Sequence, residues 1–84
     1  VIPERMLGAL QRYIDHGIPP GDFLTAVLSN DLREACTRAD DENQQLIYEY
    51  VKFLYNYAPL GCWGSRENFH SWLKQGGLNG KEAK

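Results

Sequence analysis

The chain has 84 residues, 43% hydrophobic and 24% charged, with nine basic and eleven acidic side chains for a net charge of −2. This length allows one domain with a thin stability margin, and the near-neutral balance lacks the basic patch of a general nucleic-acid binder. Cys36 and Cys62, with His16 and His70, form neither a disulfide framework nor a set at metal-ligand spacing.

Small scaffolds without such staples rely on dense helix packing or on oligomerisation. No apolar run approaches the roughly 20 residues of a membrane span. The segment VIPERML lacks the basic-then-apolar order of a signal peptide. A cytoplasmic setting with reduced thiols is therefore expected, and Cys36 is read as a buried thiol.

The first helix is expected over about 3–16. Pro3 fits a first turn, Met6, Leu7, Leu10, Tyr13 and Ile14 follow at three- and four-residue steps, and Gly17 suits the left-handed position past the end. Ile18-Pro19 favours extended backbone, and Pro20 can open a second helix with Phe23, Leu24, Val27 and Leu28 inward. Asn30 tolerates left-handed backbone, and Asp31 with Glu34 three residues on makes a capping-box-like pair. Ser29-Asn30-Asp31 is thus read as a corner between two helices. One continuous helix over 20–39 stays open as the alternative, because 24, 28, 32, 35 and 39 also lie on one stripe. Leu32, Ala35, Cys36 and Ala39 are expected to point inward.

Asp40, Asp41 and Glu42 place negative charge at a helix start. Leu46, Ile47, Tyr50, Val51, Leu54 and Tyr57 then keep a helical period, and Pro59 stops it. Tyr48, Phe53 and Tyr55 fall off that stripe and mark a second apolar face, read as a subunit interface. In the loop 59–64, Trp63 is expected to plug the core, and Ser65 to cap a short helix carrying Phe69, Trp72 and Leu73. Gly76-Gly77 ends that helix. The expected fold is all-α: a bundle of four to five short helices over 1–77, oligomeric, with a frayed tail over 78–84.

The string GIPPGDFLTAVLSNDLREA, followed by RADDEN and GCWGS, resembles a group of short phage-encoded proteins of unknown function. Their shared pattern is G-x-x-P-G-x-F-L-x-A-V-L-x-N-D-L-x-E-A, then R-A-D-x-x-N, then C-W-G-S, and the likeness covers most of residues 8–73. The resemblance implies a small helical protein working inside an infected bacterium. Small phage proteins of this kind often counter host defences, so the resemblance implies a role in blocking a host defence protein or sequestering a nucleotide-like signal.

Four constellations invite a functional reading. Cys62 near His70 has the types of a thiol nucleophile and its base, but no group is placed to orient the ring, so the chain is read as no enzyme. Asn30 and Asp31, with Arg33, form a corner suited to a hydroxyl, an amine or a partner's arginine. Tyr55, Trp63 and Arg66 could stack a base and hold its phosphate. A helix-turn-helix reading fails on the acids Asp31 and Glu34, which a duplex would repel. The expected partners are a host protein or a nucleotide-like ligand together with further copies of the chain, with no cofactor and no metal. The alternative is an assembly protein whose apolar face is only an oligomer interface.

Overall fold

Pro3 opens the first helix from outside it: its extended backbone (φ −58°, ψ 145°) turns its carbonyl onto the N–H groups of Met6 and Leu7, both at 3.0 Å. A computed structural model describes residues 2–82, with side chains through Gly80. Helix α1 runs Glu4–His16 and ends at Gly17 (φ 67°), in the left-handed region the sequence requires there. The Pro-Pro-Gly segment stays extended, so α2 begins at Asp22 rather than at Pro20 and runs to Leu28.

The corner forms as two helices. Asn30 is the one non-glycine residue with positive φ (60°) among the described residues. Asp31 then accepts the Glu34 N–H at 3.1 Å and starts α3, Leu32–Arg38. Asp40 caps α4, Asp41–Gln45, in the same way through the Asn43 N–H at 2.8 Å. A break at Leu46 (φ −106°, ψ 4°) separates it from α5, Ile47–Tyr57. One 3-10 turn, Leu60–Cys62, leads to Ser65, whose hydroxyl accepts the Asn68 N–H at 3.0 Å and caps α6, Arg66–Gln75.

Seven α-helices are thus described where four to five were expected, because Leu46 and Gly76-Gly77 divide runs of residues that were read as single elements or as tail. The segment expected to fray is helical as far as Glu82: α7, Gly77–Glu82, packs against α1. Its entry depends on Gly77 (φ 74°), where a side chain would collide with the backbone of Asp15 and His16. Residues 83–84 of the expected tail lie outside the described residues.

The core is built from Leu10, Tyr13 and Ile14 of α1, Phe23, Leu24, Val27 and Leu28 of α2, Tyr50 and Leu54 of α5, and Phe69 and Trp72 of α6. Its polar atoms are all matched. The Tyr13 hydroxyl donates to the Cys62 carbonyl at 2.7 Å, and its ring stacks on Phe69 at 5.3 Å. The Trp72 indole N–H is shared between the Tyr13 and Ile14 carbonyls at 3.0 and 3.1 Å, satisfying the last turn of α1. The Tyr50 hydroxyl donates to buried Asn43 at 2.6 Å, which ties α4 to the core. No buried side-chain nitrogen or oxygen among the described residues lacks a partner.

Two inward expectations fail. Leu32 is 66% exposed and Cys36 is also in solvent, because only the Ala35 side of α3 meets the core. Trp63 packs against the core while half-buried, and Cys62 fills the deeper position beside it. Among the described residues no helix is long and apolar enough to cross a membrane.

Candidate functional site

Helices α2, α3 and α6 enclose a polar groove of about 240 Å³, lined by Asp22, Ser29, Asp31, Glu34, Arg38, Arg66 and His70 over a floor of Ala26 and Phe69. The corner makes it possible: Asn30 in the left-handed region swings α3 away from α2, and Gly64 donates its N–H to the Leu28 carbonyl at 2.9 Å, bringing the start of α6 alongside. Asp31 and Arg66 are 35 residues apart in sequence, yet Oδ2 and Nη2 stand 3.8 Å apart across the groove.

The groove's cations are already engaged. Arg38 donates from Nε to Glu34 Oε1 at 2.9 Å and lies 3.8 Å from Asp22. That hydrogen bond, then the nearby carboxylate charges, hold its proton more tightly than usual. Three carboxylates face two guanidinium groups, so acids outnumber arginines in the lining. Such a lining is poorly matched to the phosphates of a nucleotide. It fits the hydroxyl-, amine- or arginine-type contact read from Asp31 better.

The other expected ligand residues are not gathered there. Arg33 is on the outer side of α3, and Trp63 contributes its carbonyl to Asn68 (3.0 Å) behind the groove. Tyr55 is on α5, and Asn30 belongs to a separate small cleft. That cleft, about 40 Å³, lies between α3 and α5 with Val27, Ala35, Ile47 and Val51 as apolar walls and Asn30, Asp31 and Leu32 along its edge. Asp31 is common to cleft and groove, so the two form one continuous surface.

Beside the cleft runs the second face of α5. Tyr48, Val51 and Tyr55 follow at steps of three and four, exposed by 71%, 41% and 77%. Phe53 does not share that face. It is half-buried, meets Tyr57 with ring centroids 5.5 Å apart, and lines a different groove with Ile2 and Leu7. Val51, read as core, belongs to the exposed face, and Leu32 extends it across the cleft. Asp22, Glu34, Arg38, Leu32 and Val51 therefore line the candidate surfaces without having been assigned to a site from the sequence. Of these, only the four-residue step from Glu34 to Arg38 was a readable signal.

Cys62 is fully buried, and desolvation pushes its thiol up to about 11. His70 lines the groove in solvent. A buried, protonated thiol is a poor nucleophile. Among the described residues no group of three or more His, Cys, Asp or Glu side chains is placed to hold a metal ion. Comparison with protein families, with curated proteins and with solved structures gives no match.

Proposed function

We propose that this chain is a small non-catalytic binding protein that works by contact with another protein surface through the α3–α5 face. The observation that carries the reading is the set of large apolar side chains left in water there: Leu32 at 66% exposure on the edge of an apolar cleft, with Tyr48 at 71% and Tyr55 at 77% at helical steps from the cleft residue Val51. Single exposed apolar residues are ordinary, whereas a contiguous set rich in tyrosine has the composition of a binding hot spot. The acid surplus of the neighbouring groove argues against capture of a nucleotide-like anion as the main role. In the setting implied by the phage-type motifs, the target of such a protein is a bacterial host protein, and masking a defence protein is the activity we infer.

Native mass spectrometry of protein expressed in bacteria tests this reading. The expected result is a complex of the chain with another protein that survives Arg66→Ala and is lost in the Tyr48→Ala/Tyr55→Ala double variant. A retained small molecule that disappears with Arg66→Ala would sink the reading. So would a complex untouched by the tyrosine changes.

A further inference from the structure

A second hollow adjoins the polar groove at the Asp22–Arg38 ion pair. Its walls are Met6, Ala9, Phe23 and Leu24, with Gly21 at its edge, and it holds about 400 Å³ between α1 and α2. Asp22 and Arg38 line both depressions, so the two form one trough, with that pair as a saddle between an apolar end and a polar end. Neither Leu32 nor the exposed tyrosines of the α3–α5 face belong to it.

At the polar end the anions are fixed and the cation opposite is not. Asp31 is held through Oδ1 by the Glu34 N–H at 3.1 Å, which leaves Oδ2 toward the groove. The nearest cation to that oxygen is Arg66 at 3.8 Å, and the nearest to Asp22 is Arg38, also at 3.8 Å. Both separations exceed hydrogen-bond length. Two carboxylates therefore stand open to a charged donor, while Glu34 already receives Arg38 Nε at 2.9 Å. Arg66 is a long, largely exposed side chain with no other charged contact among the described residues, so it is free to swing aside. At about 240 Å³ the polar end is smaller than the roughly 300–1,000 Å³ of a drug-sized ligand site and takes one side chain.

We propose that the trough docks an extended segment of another protein, with an arginine of that segment between Asp22 and Asp31 and an adjacent apolar side chain in the Met6–Phe23 hollow. Charge complementarity selects the arginine: its planar fork of five donors matches two open carboxylates, and acids outnumber arginines in the lining. The apolar end selects a segment over a free amine, which would leave Met6, Ala9 and Phe23 uncovered. This contact goes beyond the α3–α5 face and does not depend on it.

A two-dimensional amide NMR titration of the full chain tests the proposal, each variant's spectrum also reporting its fold. The probe is the acetylated and amidated peptide Leu-Ser-Arg-Ser-Leu, whose leucines share the arginine's face when extended. Saturable shifts are expected at the amides of Ala9, Asp22, Phe23 and Asp31. Replacing the peptide's arginine with glutamate is expected to abolish them, and replacing both leucines with serine to weaken them. Asp22→Asn and Asp31→Asn, the latter keeping the α3 cap, are each expected to weaken binding about threefold or more. Arg66→Ala removes the competing cation and is expected to tighten binding, whereas Tyr48→Ala/Tyr55→Ala is expected to leave it unchanged. No saturable shift at millimolar peptide, equal shifts with the glutamate peptide, or binding indifferent to both aspartate variants overturns the proposal. Shifts confined to Tyr48, Val51 and Tyr55 overturn it as well, while leaving the protein-contact reading of the α3–α5 face in place.

Discussion

Tyr50 shows how a single hydroxyl can hold an element in place. Helix α4 has only five residues, too few to be stable on its own. Its one buried polar side chain, Asn43, is 5% exposed and receives the Tyr50 hydroxyl at 2.6 Å. Burial raises the Tyr50 hydroxyl to about 12, so it stays a donor throughout the physiological range. Tyr50→Phe keeps the ring and its edge contact with Phe23 but strips Asn43 of its donor. A loss of about 1–3 kcal/mol in a urea melt is expected, the usual cost of stranding one buried acceptor. An unchanged midpoint would mean that α4 is held by something other than this bond.

At the scale of elements, Asp31 separates two duties. Its Oδ1 caps α3, while Oδ2 faces the groove. Asp31→Ala is expected to cost about 1 kcal/mol, and Asp31→Asn only a few tenths, because an amide oxygen still caps; equal losses in thermal melts would refute the capping role. The left-handed Asn30, the Asp31 and Ser65 caps and the Gly17 stop were legible in the sequence because each is set by chemistry within four residues. The inward assignment of Leu32 and Cys36 failed for the opposite reason. A helical period says which residues share a stripe, not whether another helix lies opposite, and nothing among the described residues covers that side of α3. The pairing of Asp31 with Arg66 was equally hidden, since it exists only after α6 returns beside α2. Helix α7 was missed because Gly76-Gly77 reads as a stop and LNGKEA offers little to bury, whereas its support comes from close backbone approach to α1.

Over the whole molecule, the buried acids should give a stability profile that declines only in alkali. The Cys62 thiol moves from 9.0 to about 11 and the Tyr50 hydroxyl from 10.0 to about 12, both chiefly by desolvation; Tyr13 rises further for the same reason. Each folded-state value lies above its unfolded one, so the stabilisation is complete below pH 9. It is lost as pH rises, because the unfolded chain gives up those protons first. Melting temperatures are expected to show no loss from these groups up to pH 9, then to fall with Cys62 between 9 and 11 and more steeply as the tyrosines join above 10. The limiting slope is about 1.4 kcal/mol per pH unit for each such group. No fall above pH 10 would show that these side chains reach water.

The anchors of α1 have a consequence for how the molecule comes into being. Tyr13 reaches its acceptors across 49 and 56 residues, and the Trp72 indole reaches back across 58 and 59 to close the same helix end. Helix α1 therefore cannot complete these anchors until α6 is in place. Such distant closures slow folding even in an all-helical chain, where most contacts are local and fast. Until then the end of α1 stays unlatched, and Trp72 is the latch that closes it.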